Sequence, residues 1–295
     1  MLGLIAYFNK QRIVQYFMQP TESKLETKEL TVDPQEPEES EKIVAENLRI
    51  PWEIAFLPDG TMLVTERPGT LKHITENTTA VNVEGVVHRG EGGLLGMALH
   101  PNFKNNKYIY LYSTTSTEGK LTNRVERYVY ENEKLSDRKT IIENIPGSNN
   151  HDGGRIAFGP DGLLYIATAV AEGTNTAQDK NSLAGKILRI KDDGSIPADN
   201  PFGNATYSYG HRNPQGLAWD DSGQLWATEH GPSGRETGQD ELNRIQKGQN
   251  YGWPTITGDE FEACLVKPVA LSVVHETWAP AGLADYQGNV IYSWR

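Results

Sequence analysis

IAFLPDGTMLVTE (54–66), IAFGPDGLLYIAT (156–168) and LAWDDSGQLWATE (217–229) are three copies of one thirteen-residue pattern. A fourth stretch, MALHPNFKNNKYIYLY (97–112), follows the same plan with a longer turn. Each copy is a short apolar strand, a turn built on Pro-Asp-Gly or Asp-Ser-Gly, and a second strand of β-branched and aromatic residues. Glycine supplies the positive φ such a turn demands, so each copy reads as a β-hairpin. Aligned on Phe56, Leu99, Phe158 and Trp219, the copies are spaced by 43, 59 and 61 residues. Periods of about 40–60 residues with several strands per unit mark a β-propeller. NRVERYVY (123–130) and KILRI (186–190) supply further strands between the hairpins. No stretch of ten or more residues after residue 50 has helical periodicity. The fold expected is therefore all-β, a β-propeller. At this period, residues 50–295 make four to five and a half blades.

The composition agrees. The chain has 29 glycines and 16 prolines among 295 residues, which suits many tight turns rather than long helices. A formal net charge of −11 speaks against a nucleic-acid or anionic-membrane surface, since both would repel it. No GxGxxG opens a helix, so nothing supports a nicotinamide cofactor. The single cysteine, Cys264, excludes an intrachain disulfide and a cysteine-based zinc site.

The charge is uneven. Residues 21–46 hold nine acidic residues against three lysines, a net of −6 that leaves only −5 for the rest of the chain. This segment lacks aromatics and is dense in Glu, Lys, Ser and Pro, so it is expected to be a disordered linker. Before it, residues 1–20 carry a seven-residue apolar run, Leu2 to Phe8, broken by Asn9, Lys10, Gln11 and Arg12. That run is too short to span a bilayer, and its charges follow the apolar stretch where an export signal places them ahead. The expectation is an atypical export signal, a short amphipathic anchor or a frayed helix, followed by a tether and a propeller domain over 47–295. This arrangement suits a periplasmic or extracellular protein, tethered or free.

A polar cluster sits just ahead of each repeated strand: Arg89 and Glu91 in RGEGG, His151 and Arg155 in HDGGR, and His211, Arg212, Asn213 and Gln215 in HRNPQG. His151 lies seven residues before Phe158, and Arg212 seven before Trp219. A single His or Arg before a strand is ordinarily a turn residue or a solvated charge. In a propeller, however, equivalent positions in successive blades are related by rotation about the central axis. Loops leading into the innermost strands would therefore converge on one end of the channel. His73, His88 and His100 have no such company and read as ordinary surface or core histidines.

At HDGGR, SLAGKILRI, SIPADNPF, YSYGHRNPQGLAW, ATEHGP, DELN and NYGWP, in this order, the chain resembles the soluble PQQ-dependent aldose or glucose dehydrogenases. The resemblance covers about Asn47 to Thr277 and implies a six-bladed propeller. His151 matches the general base that takes the proton from the sugar's anomeric hydroxyl, while a hydride passes to the quinone of PQQ. Imidazole suits that task because its pKa lies near neutrality. Arg212 and Asn213 match quinone contacts, Arg212 also stabilising charge that develops on oxygen. Gly231 and Pro232 match positions whose carbonyls bind the Ca²⁺ associated with PQQ, and Asp240 and Glu241 match the acidic pair that follows, which reads equally as a calcium-independent salt-bridge pair. Thr277 and Gln178 match further cofactor contacts. Trp278 reads either as a stacking face or as core.

The match breaks twice. Relatives end the strand after HDGGR in a Gly-Asp step whose carboxylate orients the catalytic histidine; here Ala169 and Val170 stand there, and valine accepts no hydrogen bond. Relatives also continue into a final blade whose Lys and Arg hold the PQQ carboxylates, so the last blade of the six-bladed type is expected to be incomplete in this chain. The leading expectation is a PQQ- and Ca²⁺-dependent aldose dehydrogenase that passes electrons to an external acceptor. Two alternatives stand beside it. One is a non-catalytic propeller binding a glycan or protein partner. The other is a calcium-dependent lactone hydrolase, which a cluster made mainly of His and Arg favours less.

Overall fold

The computed structural model describes residues 43–171, 173–232, 239–258, 270–274, 280–286 and 289–294. The chain divides into two units, residues 1–48 and 49–295. Of the first, the described residues 43–48 carry no regular secondary structure. The atypical export signal or anchor and nearly all of the acidic linker lie outside the described residues, as do Thr277 and Trp278.

The second unit is all-β. Four sheets of four antiparallel strands follow one another along the chain, each built as a meander. The first holds β1 (Pro51–Phe56), β2 (Met62–Glu66), β3 (Thr70–Ile74) and β4 (Thr79–Asn82). The second holds β5 (Leu94–Leu99), β6 (Tyr108–Thr117), β7 (Lys120–Glu131) and β8 (Lys134–Pro146). The third holds β9 (Ile156–Phe158), β10 (Leu164–Thr168), β11 (Lys186–Ile190) and β12 (Thr206–Tyr209). The fourth holds β13 (Pro214–Trp219), β14 (Leu225–Glu229), β15 (Asp240–Ile245) and β16 (Ala270–Val274). A two-stranded sheet follows, β17 (Pro280–Tyr286) with β18 (Asn289–Trp294). These are the blades of a propeller, and the four sequence repeats are the first two strands of the four complete sheets.

The turns form for the reasons their residues suggest. Gly60, Gly162 and Gly223 sit at φ +85°, +75° and +81°, backbone that other residues adopt only under strain. The Asp59 and Asp161 carboxylates accept the N–H of the residue two further on, at 3.0 and 3.1 Å. In the fourth sheet Asp220 does the same for Ser222 at 2.9 Å. The longer turn of the second sheet closes through a single helical turn, α1 (Phe103–Asn106), which is the one α-helix among the described residues.

Packing between sheets follows the period-2 alternation of strand side chains. On β6, Ile109 and Leu111 join Leu63 and Leu71 of the first sheet, whereas Tyr110 and Tyr112 join Ile156, Leu164 and Ile166 of the third. On β10, Tyr165 and Ala167 turn instead to Leu217, Leu225 and Ala227 of the fourth. The second and third sheets are thus buried on both faces. Ile54 and Phe56 of β1 are exposed.

Candidate functional site

The loops ahead of β5, β9 and β13 meet, as the repeat arithmetic requires. The Glu91 carboxylate accepts the backbone N–H of His151 at 2.8 Å, and the Glu91 N–H donates to the Asn149 carbonyl. Asn213 Oδ1 accepts from the Gly153 N–H at 3.3 Å and from Gln215 Nε2 at 2.9 Å. Arg155 donates Nε to the Gln215 carbonyl at 2.8 Å, ion-pairs with Glu53 of β1 and lies over the Trp52 ring. One guanidinium therefore joins the first strands of three sheets. Close approach of this kind needs small residues. A Cβ on Gly153 (φ +66°) would stand 2.6 Å from the Ala167 carbonyl oxygen.

Arg212 is held at its backbone and at the tip of its side chain. Its N–H donates to the Glu229 carboxylate, its carbonyl accepts from the Val170 N–H at 3.0 Å, and its Nη1 donates to the His230 carbonyl at 3.0 Å. The guanidinium lies 5.3 Å from the centroid of the Trp253 ring. Burial pushes its pKa down, opposed by Glu229, Glu91 and Asp240. Beneath it, Glu229 Oε2 lies 2.9 Å from His211 Nδ1, and His211 Nε2 lies 2.8 Å from the Ser208 hydroxyl. The imidazole stacks on Tyr251 at 4.5 Å. His211 is wholly buried, so this line of hydroxyl, imidazole and carboxylate braces the loop rather than meeting a substrate.

His230, Gly231 and Pro232 follow β14 and, with Arg212, Glu229 and Trp253, line a pocket. Two buried donors there have no partner among the described residues, Arg212 Nε and Trp253 Nε1. Buried donors are rarely left unmatched. The acidic pair stands behind this edge. Asp240 Oδ1 accepts the Gly231 N–H at 2.7 Å, and Glu241 accepts Asn243 Nδ2 at 2.8 Å and the Gly258 N–H at 2.7 Å. Among the described residues no three His, Cys, Asp or Glu side chains form a metal cluster.

Gln178 is spent on structure. Its Nε2 donates to Asn250 Oδ1 and to the Trp253 carbonyl, and its Oε1 accepts from Asn250 Nδ2 at 2.8 Å. It thereby locks the NYGWP loop. Gln178 caps a short 3-10 turn, Thr174–Ala177, which Lys186 holds by donating Nζ to the carbonyls of Thr176, Ala177 and Ala184. Burial brings the Lys186 amine down to about 7, opposed by Asp179. His73 and His100 bond within the turns at the outer ends of their hairpins, to Thr61 and to Asn102 and Asn106, and take no part in the cluster.

The supporting residues Ser208, Glu229 and Trp253 were not singled out from the sequence. One signal was available for Glu229: it closes the thirteen-residue repeat at the position where Glu66 closes the first copy, and both are buried.

The family model for glucose/sorbosone dehydrogenases matches residues 48–295. The chain belongs to the glucose/sorbosone dehydrogenase family. It is 36% identical over 282 residues to the aldose sugar dehydrogenase YliI of Escherichia coli, covering 86% of this chain and 75% of that one. It is 36% identical over 255 residues to quinoprotein glucose dehydrogenase B of Acinetobacter calcoaceticus, covering 74% of this chain and 52% of that one. The PQQ-bound aldose sugar dehydrogenase of Streptomyces coelicolor superposes with a TM-score of 0.78 at 40% identity, over 86% of this chain and 76% of that one. As a family member the chain is an enzyme of the sugar dehydrogenase class, and the propeller expected from the repeats is the fold it has.

Proposed function

We propose that this protein oxidises an aldose at its anomeric carbon to the lactone, with PQQ as cofactor and Ca²⁺ beside it. The observation that carries the reading is the meeting of the His151 and Arg212 loops next to a pocket with two unmatched buried donors. His151 Nδ1 is buried, so Nε2 is the nitrogen that takes the proton from the anomeric hydroxyl. PQQ, when bound, supplies the two-electron acceptor for the hydride that leaves the same carbon. Arg212, fixed by Glu229 and His230, offers a permanent cation where negative charge develops. Gly231 and Pro232 would hold the Ca²⁺ through their carbonyls, Asp240 fixing the Gly231 peptide from behind. Asn213 sets the distance between the two loops, and Gln178 acts through the NYGWP loop. Thr277 would add a further cofactor contact.

Electrons then pass to an external acceptor, and the protein works in the periplasm or outside the cell. No helix among the described residues is long and apolar enough to cross a membrane. The test is reconstitution of the purified chain with PQQ and Ca²⁺, followed by aldose-driven dye reduction. Reduction that needs both PQQ and Ca²⁺ supports the reading. Failure to bind PQQ, or lactone hydrolysis without the quinone, contradicts it.

A further inference from the structure

His151 is a non-glycine residue at φ +60°, in the left-handed region, and such backbone persists only where its surroundings over-determine it. The Glu91 carboxylate holds its N–H, and its carbonyl accepts from the Ala171 N–H at 3.1 Å. The next residue, Asp152, is 2% exposed. Its Oδ1 accepts from Asn123 Nδ2 of β7 at 3.0 Å and from the Ser148 N–H at 3.1 Å, while its peptide carbonyl accepts from the Tyr112 hydroxyl of β6 at 2.8 Å. The chain of bonds continues from Asn123 Oδ1 to the Thr114 hydroxyl, which accepts the Gly93 N–H in the loop that carries Glu91. His151 therefore sits inside a closed circuit of hydrogen bonds anchored in the second sheet.

We propose that Asp152 is a positioning residue for His151, tying the imidazole's loop to the second sheet and supplying through the backbone the orientation for which Val170 offers no carboxylate. This rests on the dehydrogenase reading. Asp152 Oδ2 is buried with no partner among the described residues, so the anchor is a carboxylate kept where donors are too few. Burial raises its pKa to about 6, with Glu91 raising it further and Arg67 lowering it; the Tyr112 phenol and His151 are the other titratable groups beside it. A carboxyl raised in the folded state contributes stability below the unfolded value near 4, and that contribution is lost as pH rises through 6. The protein thus retains an ionised group at neutral pH at the expense of stability, which is a mark of a functional site.

The test compares Asp152→Ala and Asp152→Asn in the full chain loaded with PQQ and Ca²⁺. Asp152→Ala is expected to lower kcat by about 30-fold or more, with KM within about twofold, and to speed amide hydrogen exchange across residues 148–154. Asp152→Asn, which keeps an acceptor for Asn123 and Ser148, is expected to restore kcat to within about fivefold. It is also expected to unfold at a higher temperature than the parent at pH 8 but not at pH 4. Unchanged kcat and unchanged exchange in Asp152→Ala overturn the proposal, as does lost activity without faster exchange. If the parent protein shows no aldose-driven turnover, the dehydrogenase reading fails by itself. The exchange of 148–154 then still decides whether Asp152 holds the loop.

Discussion

Arg212 and His151 occupy the same place in neighbouring blades, seven residues before the last residue of a first strand, yet the protein fixes them by different means. Arg212 is buried, with side chain and backbone both bonded, above a second layer of Glu229, His211 and Ser208. His151 is half-buried and is fixed chiefly through its main chain, in a left-handed conformation between Glu91 and Asp152. The difference fits the two tasks proposed for them. A cation that stabilises developing charge gains from being immobile and dry, whereas a base must leave one nitrogen open to a substrate that comes and goes.

Substitutions can break or sharpen this contrast. Glu229→Ala has the largest expected effect on stability, because it strips the Arg212 N–H and His211 of their acceptor together; a loss of roughly 3–5 kcal/mol in denaturant unfolding is expected. PQQ affinity, read by fluorescence quenching, should fall with it. Lys186→Met comes next. It removes the ammonium donor shared by the carbonyls of Thr176, Ala177 and Ala184, and a loss of roughly 2 kcal/mol in chemical unfolding is expected, with the 174–178 turn loosened in hydrogen exchange. Gln178→Ala is the mildest, expected to cost about 1 kcal/mol and to weaken PQQ binding only through the NYGWP loop. A larger loss of PQQ affinity than Glu229→Ala causes would show that Gln178 touches the cofactor directly.

The fold was legible because its determinants are local and repeated: Gly60, Gly162 and Gly223 at the turns, and strand alternation that sends Ile109 one way and Tyr110 the other. The meeting of His151, Arg212 and Asn213 was legible for the same reason, since rotation about a channel turns equal sequence offsets into proximity. The bracing residues were not legible. Ser208 and Glu229 meet His211, and Asp152 meets Asn123, through contacts between segments, and a buried carboxylate reads in sequence like a solvated one. Gln178 shows the converse. The resemblance implies a cofactor contact for it, while its amide is engaged by Asn250 and the Trp253 carbonyl.

The most direct measurement mixes PQQ- and Ca²⁺-loaded protein with an aldose in the absence of other acceptors and follows the quinone absorbance, for the parent and for His151→Ala. The account predicts that both proteins bind PQQ alike and that the variant reduces it about 10²–10⁴-fold more slowly, the usual contribution of a positioned base. Equal rates of quinone reduction in the two proteins would contradict it.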